Sequence, residues 1–95
     1  MKYKHLIIDG KVQGVGYRYS AKSKANSLKI KGSVENMPNG TVEIYCLGSD
    51  ENIDAYINYL KNNPGWSHVD NIEIEDIEER NIKEKLEMMT EFVID

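Results

Sequence analysis

The chain has 95 residues, 12 Lys+Arg against 16 Asp+Glu, a net charge of −4 and 40 % hydrophobic residues, which describes one domain over residues 1–95 and excludes a two-domain enzyme, since chains divide only beyond a few hundred residues. Its Leu, Ile, Val and Phe content is about 24 %, just above the roughly 20 % below which disorder sets in, so one modest core is expected. A single cysteine, Cys46, rules out an intramolecular disulfide, a Cys-rich zinc site and a CxxC redox pair, and a cytoplasmic protein is expected.

Residues 3–13, YKHLIIDGKVQ, set Leu6, Ile8 and Val12 on one face and Tyr3, His5, Ile7 and Asp9 on the other, which predicts a half-buried strand. Its apolar stretch breaks at Asp9, too early for a signal peptide, and no apolar run approaches the roughly 18 residues of a membrane span. From Tyr17 the period changes: Tyr17, Ala21, Ala25 and Leu28 form the apolar stripe of an amphipathic helix. Residues 29–36 alternate again, with Ile30, Gly32 and Val34 inward, and Asn39-Gly40 supplies a pair that tolerates positive φ in a tight hairpin to a third strand, 41–47, with Val42, Ile44 and Cys46 inward. Ser49, Asp50 and Glu51 then cap and charge the start of a second helix, whose Ile53, Tyr56, Ile57 and Leu60 make one face and which Pro64-Gly65 ends. Tyr59 and Trp66 are expected on its flank. Residues 69–77 read as a fourth strand with Ile72 and Ile74 inward, residues 80–90 fit either a helical turn or a loose excursion, and EFVID closes as a short strand. The order β-α-β-β-α-β plus a terminal strand is that of an α+β, ferredoxin-like split βαβ sandwich, two helices on one face of an antiparallel sheet.

Between the first strand and first helix lies Gln13-Gly14-Val15-Gly16-Tyr17-Arg18, where two glycines free to take positive φ let successive amides converge at a helix N-terminus. Such a nest, with the positive end of the helix dipole and one guanidinium, suits a single phosphate group. It is no Walker loop, and a glycine turn joining strand to helix is the simpler reading of these residues alone. Topology adds to them. A right-handed crossover makes the first two strands parallel, so Asn36, at the end of the second, opens on the same edge as Arg18. The charge agrees: residues 1–48 carry 8 Lys+Arg against 3 acids and residues 49–95 carry 4 against 13, so an anion site belongs in the first half.

GKVQGVGYR at 10–18 and GSVENMPNGTVE at 32–43 resemble the two defining motifs of the acylphosphatases, and the element order and length resemble that family's free-standing members. The resemblance implies that residues Gln13, Gly14, Val15, Gly16, Tyr17 and Arg18 form the phosphate-binding loop, that Arg18 binds the substrate phosphate and that Asn36 orients the attacking water. It further implies a small-molecule acyl phosphate as substrate, inorganic phosphate as product, no metal and no cofactor. A monomer is expected. Ser33 stands where the family commonly carries a bulky aromatic, and the chain closes on FVID instead of an aromatic-tailed strand. The chemistry is plausible in itself: the carboxylate leaving group of an acyl phosphate needs no protonation, so positioning and charge stabilisation suffice without a general acid, a metal or a Cys or Ser nucleophile.

The other chemistry-bearing residues read as structural. His5 and His68 lack a second ligand at metal spacing, with His5 expected on the open face of the sheet. Cys46 has the phase of a core residue, and Glu73, Glu75, Asp76, Glu78 and Glu79 fit a solvated strand edge. Met88-Met89 are expected to pack down their segment. Tyr3 and Tyr45 occupy positions from which ferredoxin-like sheets bind RNA, but Glu35, Glu43, Glu73 and Glu75 share that face and the overall charge is acidic, so neither nucleic acid nor membrane is expected as a partner. A noncatalytic phosphate- or anion-binding module stays open beside the enzyme, and turnover of an acyl phosphate separates the two.

Overall fold

In the computed structural model, which describes residues 1–95, the elements are β1 Lys2–Lys11, α1 Tyr17–Ser27, β2 Lys31–Asn36, β3 Val42–Gly48, α2 Asp50–Lys61, β4 His68–Asp76, α3 Arg80–Met88 and β5 Phe92–Ile94. The strands form one sheet in the order β4-β1-β3-β2-β5. All neighbours are antiparallel except β2 and β5, which pair in parallel through Gly32–Phe92, Ser33–Val93 and Val34–Ile94. The ferredoxin-like plan therefore holds, but the added strand makes the sheet mixed.

Alternation in the strands and helical spacing in α1 and α2 converge on one core. Leu6, Ile8, Val34, Ile44 and Cys46 of the sheet meet Ala21 and Ala25 of α1 and Ile53, Tyr56 and Leu60 of α2, all fully buried. The two helices are tied reciprocally: the Tyr17 hydroxyl donates to the Leu60 carbonyl at 3.1 Å and the Tyr56 hydroxyl to the Ala21 carbonyl at 2.9 Å. Burial raises the pKa of both phenols, which keeps them protonated as donors. The same cause pushes the Cys46 thiol up to about 12, so it stays an inert core group. Phe92 closes the core at the β5 edge, its ring edge-on to Tyr56 with centroids 6.0 Å apart.

The other face of the sheet is not open. Residues 80–88 form α3, which packs Leu86 with Leu47 and Ile77 into a second, smaller cluster flanked by Tyr3, Tyr45, Ile82 and Met89. A helix of nine residues is too short to persist alone; docking on Leu47 and the tyrosines decides its form. Two helices thus lie on one face and a third on the other, with a cavity of about 370 Å³ left between α3 and the sheet, where Ser33 contributes little bulk. His5 lies on this face as expected, stacked on Tyr45 with centroids 4.4 Å apart and within 2.9 Å of the Glu43 carboxylate.

Local expectations differ at three more places. Ile74 is 41 % exposed despite its phase, because β4 is an edge strand. Trp66 does not flank α2 but stands 87 % exposed on the α2–β4 loop. In the β2–β3 connection only Gly40 takes positive φ, at 93°; Asn39 instead uses its Oδ1 to accept from the Thr41 amide and hydroxyl at 3.1 and 2.7 Å. Of the two methionines, Met89 joins the α3 cluster and Met88 is exposed. No helix is long and apolar enough to cross a membrane.

Candidate active site

β1 and β2 both pair antiparallel with β3 between them, so they run in the same direction and their carboxyl ends meet one edge of the sheet. The chain leaves β1 there through Val12, which is buried, and turns at Gly14 and Gly16, with φ of 74° and 79°. A Cβ at either position would meet nothing within 4 Å. The glycines answer to backbone conformation, since a side chain in the left-handed region costs about 1–2 kcal/mol, and the space above them is open.

Gly16 is also the N-cap of α1. No side chain caps this end and no acidic residue stands in its first turn. The first amides of a helix have no intrahelical acceptor, so this end presents unpaired N–H groups and the positive pole of the helix. Beside them stands Arg18, half-buried and engaged in none of the chain's ion pairs or side-chain hydrogen bonds. Gly14, Gly16 and Arg18 share a cavity of about 210 Å³ with Tyr19 and Ile94, over a floor of Val12 and Tyr17. The group it favours is a small anion.

The six consecutive residues of the expected loop divide by role. Gly14, Gly16 and Arg18 line the cavity. Val15 packs against the main core. The Tyr17 side chain is 1 % exposed and committed to Leu60, so only its backbone faces the site. Gln13 points elsewhere: its Nε2 donates to the carbonyls of Met37 at 2.9 Å and Thr41 at 2.8 Å, using both hydrogens on the β2–β3 turn. This fastens the loop to the residue that follows Asn36.

Asn36 is the last residue of β2, paired with Val42. It shares the sheet edge of the loop but does not line the cavity that holds Arg18. Its Oδ1 is the one buried side-chain polar atom without a hydrogen-bond partner. A buried carbonyl oxygen left so costs about 1–3 kcal/mol, which marks it as an acceptor awaiting a donor. Neither histidine enters the site: His5 is on the α3 face and His68 is exposed, 3.4 Å from Asp70.

Tyr19 and Ile94 are the site residues the sequence did not single out. Tyr19 follows Arg18 directly and has the polar-face phase of α1; as an exposed aromatic beside a candidate loop it carried a signal. Ile94 reaches the loop only because β5 lies alongside β2 in parallel, a pairing that no local pattern encodes.

The acylphosphatase family model matches residues 4–94. An acylphosphatase from Caldanaerobacter subterraneus subsp. tengcongensis is 48 % identical over 69 residues, 73 % of this chain and 77 % of that protein. Among solved structures, the acylphosphatase from Bacillus subtilis superposes with a TM-score of 0.88 at 32 % identity, covering 100 % of this chain and 99 % of that one. An acylphosphatase from Coxiella burnetii superposes with a TM-score of 0.85 at 30 % identity, covering 99 % and 92 %.

Proposed function

The chain belongs to the acylphosphatase family, and from that premise we propose which of its residues carry the reaction and how. It is an acylphosphatase, a hydrolase that cleaves the carboxyl–phosphate bond of a small-molecule acyl phosphate to a carboxylate and inorganic phosphate. The reading of the site rests above all on one observation, the buried and partnerless Oδ1 of Asn36 on the edge where α1 begins uncapped.

The phosphoryl oxygens sit on the amides of the Gly14–Arg18 turn and on the Arg18 guanidinium, whose planar fork grips two oxygens at once. The amides are held in place by the turn before substrate arrives, and both they and the guanidinium strengthen as charge redistributes over the phosphoryl group. With the Asn36 amide turned out toward the nest, a water donates one hydrogen to its Oδ1, so that the water's own lone pair points at phosphorus, in line with the carboxylate that departs. Asn36 is a neutral amide and takes no proton. The P–O bond to the acyl group breaks, a bond to the water oxygen forms, and both water hydrogens remain on the product as dihydrogen phosphate while the carboxylate leaves as an anion. Gln13 holds the two halves of the site in register through the Met37 and Thr41 carbonyls.

The route uses positioning and charge stabilisation with no general acid or base, so turnover is expected to be flat across about pH 5.5 to 7.5. No step calls for a metal or cofactor, and we read the protein as a cytoplasmic monomer without a nucleic-acid or membrane partner. Release of phosphate from acetyl phosphate by purified protein, before and after exhaustive dialysis against EDTA, tests the reading. Equal turnover in both supports it. No turnover leaves only an anion-binding module, and activity lost to EDTA and restored by Mg²⁺ contradicts the metal-free route.

A further inference from the structure

The cavity that holds Arg18 has two chemically different walls. One is the loop backbone and the guanidinium, which satisfy an anion. The other is apolar and comes from two elements far apart in sequence: Tyr19 of α1, 75 % exposed, and Ile94 of β5, 37 % exposed. The phosphoryl group of an acyl phosphate is small and fills only the first wall. The acyl group bonded to it must extend from the nest, and the second wall is the surface within the same cavity that it can cover. An aromatic or branched acyl group covers more of these side chains than an acetyl group does and removes more apolar surface from solvent on binding.

We propose that Tyr19 and Ile94 form the acyl-group subsite and set a preference for acyl phosphates with an aromatic or branched apolar acyl group. This rests on the placement of the phosphoryl group on Gly14, Gly16 and Arg18. Trp66 is a built-in comparison: a more exposed aromatic, its neighbour Gly65 lies against the outer side of the loop, where an added Cβ would stand 3.5 Å from Ser20 Oγ and 3.6 Å from the Val15 carbonyl oxygen. It does not line the cavity.

The test is the ratio of kcat/KM for benzoyl phosphate to that for acetyl phosphate, measured for the wild type, Tyr19→Ala, Ile94→Ala, Tyr19→Phe and Trp66→Ala, with inhibition by inorganic phosphate recorded for each. The ratio should fall by about tenfold in each of the first two variants, the low end of what apolar pocket contacts give because both are partly open to water. Tyr19→Phe keeps the ring and should keep the ratio, as should Trp66→Ala. Inhibition by phosphate, which has no acyl group, should be unchanged throughout. The subsite is overturned if the ratio stays constant in both alanine variants, if Trp66→Ala lowers it equally, or if phosphate inhibition weakens in step with the ratio. A wild type that hydrolyses neither substrate contradicts the reading of the nest itself, and the subsite with it.

Discussion

α1 and α2 pack against each other on the same face of the sheet, and their N-termini are finished in opposite ways. At α2, Ser49 accepts a hydrogen bond from the Asn52 amide at 3.2 Å and Asp50 and Glu51 stand in the first turn. One orphan amide has a side-chain partner and the dipole has its counter-charge, and the two carboxylates repel an anion from this end. At α1 the cap is Gly16 in the left-handed region, and the first turn has no acid and carries the positive Arg18. Both ends obey the same electrostatics. One spends it on stability within the chain and the other leaves it open, and the open one lies on the edge where Asn36 also lacks a partner. Function in this molecule is visible as local stabilisation withheld.

That contrast can be broken in a graded way. The largest effect is expected for Arg18→Lys: an ammonium keeps the charge but not the bidentate fork, and turnover should fall by about a hundredfold or more, measured as kcat on acetyl phosphate. Retention of most activity would show that charge alone fills the open end. Gly16→Ala comes next. With φ at 79° and no neighbour within 4 Å of the new Cβ, its cost is backbone strain, so thermal unfolding should report a loss of about 1–2 kcal/mol, together with reduced turnover as the turn relaxes. At the closed end, Ser49→Ala should cost about 1 kcal/mol in a urea titration and leave kcat unaltered. A drop in kcat there would mean that the two helix ends are not independent.

The smallest effect belongs to the Lys4–Asp76 pair between β1 and β4, whose carboxylate is exposed. The Lys4 ammonium beside Asp76 holds the Asp76 carboxyl below the usual carboxylate range. A depressed folded-state pKa means stability present above the unfolded-state value and lost as pH falls through the folded-state one, so Asp76→Asn should matter slightly at pH 7 and not at all well below pH 3. Urea midpoints of the two proteins compared at neutral and acid pH would show the gap closing; a gap that widens on acidification would reverse the sign.

The sequence carried the elements whose pattern is local. The stripes of α1 and α2, the Ser49 cap and the inward residues of β1, β2 and β3 all follow from side-chain periodicity, and each is as the structure has it. What periodicity does not encode went unread. Of the two readings open for residues 80–90, the helical one holds because Leu86 finds Leu47 and Ile77 on the second face of the sheet, a tertiary contact that overrides the weak intrinsic preference of a short helix. The site was half legible. The glycine loop, Arg18 and the shared edge with Asn36 came from motif and topology. Gln13 and Tyr17 belong to the loop by what the family resemblance implies; their side chains are committed to the β2–β3 turn and to Leu60, contacts that no local pattern encodes. Ile94 depended on a parallel pairing across 60 positions of chain.

The central claim is that the open helix end binds phosphate while Asn36 aims the water, so removing either should disable the enzyme differently. Inorganic phosphate binding by calorimetry, set beside kcat on acetyl phosphate for Arg18→Ala and Asn36→Ala, measures this directly, with circular dichroism to confirm that both are folded. Arg18→Ala should lose binding and turnover together. Asn36→Ala should bind phosphate with near wild-type affinity while turnover drops by about a hundredfold or more, the scale on which a misplaced reacting atom is felt. A folded Asn36→Ala that keeps most of its activity, or that loses phosphate as completely as Arg18→Ala does, would contradict the division of labour.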